Sequence, residues 1–143
     1  MLDNRVKQFR FKLIHRIIAN NENLFKWKIF GNPLCHHCSE VDSISHFVVE
    51  CKYLDPFWSK VVYAFKQCGI NKSVRNLFHL IIGYNIDFVD NHLVNIILSY
   101  IGFVIYKAHF CSERKTKPYN ITRLLIEGLA LITICLQRKN IEC

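Results

Sequence analysis

No stretch of this 143-residue sequence is apolar for long enough to cross a bilayer. The best candidate, Leu93 to Tyr106, spans 14 residues and is interrupted by Asn95 and Ser99, whereas a membrane helix needs roughly 20. It reads as a buried helix, and no membrane partner is expected. Secretion is not expected either, because Met1 is followed by Leu2-Asp3-Asn4-Arg5 and not by a cationic start feeding an apolar core. Nucleus or cytoplasm is therefore the expected location. Carboxylates are scarce, with Asp+Glu 11 against Lys+Arg 19 and a formal charge of +8. The cysteines number 7, and an odd count excludes a complete disulfide framework, which makes metal binding the better expectation for some of them. What the chain does have is apolar substance: 51% hydrophobic and 13% aromatic residues are too many for a disordered basic tail. One folded unit is the expectation for this length.

The basic residues gather at the two ends. Residues 1–30 carry +5, 31–60 carry −2, 61–90 carry +1 and 91–143 carry +4. Phosphate attracts Lys and Arg without regard to sequence, so a polyanion is a reasonable partner, although a charged surface also simply keeps a protein in solution.

Apolar spacing predicts a mainly α chain. Val6, Phe9, Leu13 and Ile17 recur at intervals of three and four, which places them on one face of a helix over residues 5–18. At about 100° per residue, Arg5, Gln8, Lys12, His15 and Arg16 fall on the opposite side, so a single polar stripe carries three cations. Asn20-Asn21-Glu22-Asn23 ends that helix and can cap a short second one through Leu24, Phe25 and Trp27, which Gly31-Asn32-Pro33 stops. Asp55-Pro56 opens a third helix, with Phe57, Val61, Phe65 and Cys68 inward and Gly69 at its end. Ser73 is placed to cap a fourth that carries Val74, Leu77, Phe78 and Ile81 and exits at Gly83. His92 to Phe110 is the longest periodic segment, and a last helix is expected over Ile121 to Lys139, beginning at Asn120. The expected organisation is a small helical domain over residues 1–69, stapled by a metal, and a helical C-terminal extension over 70–143 packed on it.

The constellation with a strong chemical rationale is Cys35-x2-Cys38-x7-His46-x4-Cys51, in which four soft donors fall within 17 residues. Zinc takes thiolate and imidazole donors in a tetrahedron, and a two-residue gap lets one tight turn present both sulfurs. His46 and Cys51 can complete the shell from a short helical turn. Four protein ligands leave no position for a reacting water, so the ion reads as structural. Three thiolates and a neutral imidazole on a divalent ion leave about one net negative charge, which assigns any phosphate contact to basic residues elsewhere. A deaminase reading fails because Leu34 separates Pro33 from Cys35 and no His-x-Glu lies upstream. His36 and His37, inside the turn, read as loop histidines. Cys68, Cys111 and Cys135 read as core thiols, and Cys143 is terminal.

Phe9-Arg10-Phe11-Lys12-Leu13-Ile14-His15-Arg16-Ile17, Asn23-Leu24, Trp27, Pro33-Leu34-Cys35-x2-Cys38, Asp42-Ser43-x2-His46-Phe47, Cys51 and Pro56-Phe57-Trp58 together resemble the zinc-binding region behind the reverse transcriptases of LINE-type, non-long-terminal-repeat retrotransposons. The resemblance covers about residues 9–58 and extends weakly over 74–110. It implies a CCHC zinc knuckle held by Cys35, Cys38, His46 and Cys51. It also implies a non-catalytic module that helps a polymerase body engage RNA or DNA with low sequence specificity, in an isolated or degenerate fragment. No Tyr-x-Asp-Asp occurs, and Phe88-Val89-Asp90-Asn91 lacks the paired carboxylates of two-metal polymerisation. Under this reading the knuckle fixes the first helix against the third and orients the stripe. Arg5, Lys12, Arg16 and His15 are then the candidate nucleic-acid contacts. Trp27 or Tyr53 is available to stack on a base, against a stronger expectation that both are ordinary core. The alternative is a zinc-stapled interaction domain that docks on a partner through Leu93 to Phe110.

Overall fold

A computed structural model describes residues 3–67, 74–82, 89–113 and residue 130. The described residues are mostly helical, with no strand among them beyond a single antiparallel bridge between Leu34 and Val41. The elements are α1 (Asn4–Ile14), α2 (Asn21–Lys26), a π-helical turn (His46–Glu50), a 3-10 turn (Lys52–Leu54), α3 (Asp55–Gln67), α4 (Leu77–Ile82) and α5 (Val89–Glu113). The expected last helix, the basic connection before it, the exits at Gly69 and Gly83, and the side chains of Cys68, Cys111, Cys135 and Cys143 lie outside the described residues.

Helix α1 starts where the Asp3 carboxylate accepts the Arg5 N–H at 2.7 Å, which satisfies one of the donors a helix start leaves open. It buries Val6, Phe9 and Leu13 as the spacing requires, but it ends at Ile14, short of residue 18. Arg16 takes a left-handed conformation, φ 56°, and turns the chain. The turn reverses the expected burial, so that Ile17 is exposed and Ile18 is fully buried. Helix α4 begins at Leu77, where Asn76 caps it by accepting the Phe78 N–H at 2.8 Å. Ser73, the expected cap, lies outside the described residues, and Phe78 faces outward, contrary to expectation.

On α3, Phe57, Trp58, Val61 and Phe65 are buried. Asp55 opens this helix and also pairs with Arg75 at 2.6 Å. Helix α5 buries Val94, Ile97, Leu98, Ile101, Val104 and Ile105, a repeat of three and four that lines one side of a helix. Its chief neighbours are α1, α4 and the π turn. The docking face the sequence offered to a partner is thus largely consumed by the chain's own core.

Phe9 is the hinge of that packing. Its ring lies 5.2 Å from Tyr106 and 6.1 Å from Phe103, centroid to centroid. Gly102 makes room for it, since a Cβ there would sit 3.0 Å from the Phe9 Cε1 atom. Helix α1 therefore packs principally on α4 and α5, more than on α3, where the sequence reading places it. Tyr100 and Ile81 add polar ties, accepting from the Asp3 N–H and the Arg10 guanidinium, each at 3.4 Å. A single apolar cluster runs from Phe9 to Ile105 and takes in Cys35 and Cys51, so the metal ligands border the core.

Candidate metal centre

Residues 33–42 fold back on themselves. The Asp42 N–H donates to the Pro33 carbonyl at 2.9 Å, the Cys35 N–H to Glu40 at 2.6 Å, and the Ser39 N–H to Cys35 at 3.0 Å. Ser39 closes the loop with a φ of 62°. Two sulfurs are thereby presented on one tight turn, and the His37 N–H points at the Cys35 Sγ from 3.4 Å.

The other two ligands come from the π turn. In an α-helix, residues five apart are separated by roughly 140° around the axis, so His46 and Cys51 would face different ways. Here the Cys51 N–H donates to the His46 carbonyl at 3.0 Å. That is the i→i+5 bond of a widened turn, and it brings residue 51 back beside residue 46. The Ser43 hydroxyl accepts the His46 N–H at 3.1 Å and fixes the start of the turn.

The Sγ atoms of Cys35, Cys38 and Cys51 and one ring nitrogen of His46 all lie within 4.8 Å of one another. The His46 Nε2 atom stands 3.1 Å from the Cys38 Sγ. A tetrahedron with bonds of about 2.3 Å has edges of ~3.8 Å, so one ion fits this donor set with little adjustment. Cys35, Cys51 and His46 are buried, and Cys38 is half-buried at the edge. Three thiolates and an imidazole are the usual structural shell of zinc. The thiols are also unequal. The Cys35 thiol pKa is held well below the ordinary range, first by a hydrogen bond from Cys51 and then, against the cost of burial, by backbone N–H groups including that of His37. Cys51, the donor to Cys35, is pushed up, and burial raises Cys38.

Polar anchors position the turn. Asp42 is fully buried, and its carboxylate accepts the Asn21 N–H at 2.8 Å, while its carbonyl accepts from the Asn20 amide. The Asn21 amide reaches the Leu34 carbonyl at 2.7 Å. His109 of α5 brings its Nε2 to 3.9 Å from the Asp42 carboxylate and lays its ring 4.0 Å from Phe47. Burial raises the Asp42 pKa, opposed by the Asn21 N–H and by His109. On the far side, the Trp58 indole donates to Val48 at 3.1 Å and Arg75 to Val49 at 2.8 Å. Sequence reasoning saw Asn20 to Asn23 only as a break and a cap, and gave no role to Asp42 or His109. Three asparagines in four residues were the signal the sequence carried, and all three are buried.

The remaining expected site residues are spread out. Arg5 is exposed and lies 3.5 Å from Asp3. Lys12 is half-buried, with its Nζ 5.9 Å from the centre of the Tyr106 ring. His15 caps α1 with its ring 4.2 Å from Phe11, and Arg16 lies beyond the helix. His36 is exposed, as a loop histidine should be, whereas His37 is half-buried between Tyr53 and His109. Trp27 and Tyr53, expected in the core, are both exposed. No helix among the described residues is long and apolar enough to span a membrane.

Residues 1–58 match the family model described as zinc-binding in reverse transcriptase. No curated protein and no solved structure matches the chain. All four ligands lie inside the segment that is similar to the zinc-binding region of reverse transcriptases.

Proposed function

We propose that this chain is a non-catalytic, metal-stapled module that binds RNA or DNA with low sequence specificity, in the setting of a retrotransposon reverse transcriptase. The observation that carries the reading is the closed CCHC donor set inside the family-matching segment. A full shell has no place for substrate, so the metal's contribution is rigidity: it fixes a knuckle beside the basic amino-terminal helices. Arg5, Lys12, Arg16 and His15 are the proposed contacts, with the phosphodiester backbone as their target.

The test is the salt dependence of binding by the zinc-loaded full chain to labelled RNA and DNA, followed by fluorescence anisotropy. Each neutralised phosphate contributes about 0.7 to 0.9 to the slope of log affinity against log salt. Alanine at Arg5, Lys12 and Arg16 together is expected to flatten the slope by about 2.1 on single strands and about 2.7 on duplex DNA. An unchanged slope removes these residues, and absence of binding to either polymer removes the function. The alternative is an interaction domain that docks on a partner through Leu93 to Phe110; because α5 packs on α1, α4 and the π turn, that docking has less free apolar surface to use.

A further inference from the structure

Helices α1 and α2 end in the same unusual way. After α1, the Arg16 N–H donates to Leu13 at 3.2 Å and the Ile17 N–H to Lys12 at 2.9 Å. After α2, the Lys28 N–H donates to Phe25 at 3.0 Å and the Ile29 N–H to Leu24 at 2.9 Å. Both are the paired 5→2 and 6→1 exit whose left-handed residue is usually glycine. Here that residue is a cation each time, Arg16 with φ 56° and Lys28 with φ 59°. Glycine would adopt either conformation without steric cost. The helix exit alone therefore does not account for a long charged side chain at both positions.

Helix α2 is tied to the first exit, and exposed rings flank the second in the chain. The Asn23 amide donates to the Arg16 carbonyl at 2.9 Å and to Ile18 at 2.8 Å. Phe25, Trp27 and Phe30 stand 47%, 45% and 41% exposed around Lys28. His36 leans on the Phe30 ring at 5.7 Å. Between residues 14 and 37 the sole carboxylate is Glu22, which Lys26 takes up at 3.2 Å.

We infer that Arg16 and Lys28, with Trp27 and Phe30, form the contact for an unpaired stretch of polynucleotide, whose phosphates meet the cations and whose bases stack on the rings. The inference rests on the nucleic-acid reading above and deepens it. Stacking on side chains requires bases released from a duplex, and alternation of rings with cations is the surface that single strands favour.

The experiment uses the zinc-loaded full chain with labelled oligouridylate, oligothymidylate and duplex DNA. Arg16→Gly with Lys28→Gly is expected to leave metal content and melting temperature unchanged or raised, because the left-handed positions are relieved. The same variant binds oligouridylate with a salt slope shallower by about 1.4, for two phosphate contacts on a single strand. Trp27→Leu is expected to weaken single-strand binding roughly tenfold without moving that slope. It also abolishes the quenching of tryptophan emission that oligouridylate causes in the parent. Preference for either single strand over the duplex supports the inference. A parent slope retained by the double glycine variant, or tighter binding to the duplex, overturns it and leaves the rings as a protein-docking face. Failure of the parent to bind any of the three probes overturns the nucleic-acid reading itself.

Discussion

The metal turn and the α1–α5 interface hold together by opposite means. The first is polar to its centre: Asn20, Asn21 and Asp42 are fully buried among backbone bonds, and the donor atoms of Cys35, Cys38, Cys51 and His46 converge on one point. The second is a dry contact in which Phe9 fills the space left by Gly102, between Phe103 and Tyr106. A non-directional apolar contact can relax around a defect, but a cluster of directed bonds cannot. The difference means that the two regions should fail separately, and that an ion is needed by one and not by the other.

The largest effect expected is removal of the metal. Chelation, or Cys51→Ser, should lower the melting temperature by more than about 10 °C, since structural zinc contributes folding energy outright. Backbone amides of residues 33–51 should then exchange rapidly while those of α5 stay protected, and joint loss of protection would break the comparison. Next comes Phe9→Ala, expected to cost about 3–5 kcal/mol in denaturant melts while leaving metal affinity within a few-fold of the parent.

Asp42→Ala strands the Asn21 N–H and should cost roughly 1–3 kcal/mol, read this time as weakened metal retention against a competing chelator. Its pH dependence has a definite sign. Burial makes the native carboxyl bind its proton more tightly than the unfolded one, so this group's contribution falls as pH rises from the ordinary aspartate value through the raised native one. Asp42→Asn should abolish that fall, measured as the difference in melting temperature between variant and parent across a pH series. The smallest effect is Gly102→Ala, about 1–2 kcal/mol destabilising by crowding Phe9. Combined with Phe9→Leu it should cost less than the sum of the two single changes. Strict additivity would show that the two residues do not share the space described.

Much of the helical scaffold was legible in the sequence because period-3.6 burial leaves a trace: Val6, Phe9 and Leu13, or Phe57, Val61 and Phe65, are inward as their spacing requires. The ligand set was legible for a chemical reason, since few residue types bind zinc and their gaps were short. Helix ends were not, because Arg16 and Lys28 occupy positions where glycine would have announced a stop. The choice of neighbour also escaped, since apolar faces on α3 and α5 look alike until Gly102 is seen to admit a ring. The buried asparagines hid in what composition describes as a loop.

The wide turn from His46 to Glu50 has a consequence for how such chains can vary. An ordinary α-turn brings residues four apart to the same side, while the turn seen here does so for residues five apart. Shortening this stretch by one amino acid therefore need not cost the protein its ion, provided the coil tightens by the same step. Phe47, Val48 and Val49, all inward-facing, would then have to share one less seat in the interior. The count between the last two ligands belongs to the winding of the backbone, and the metal senses only where the winding ends.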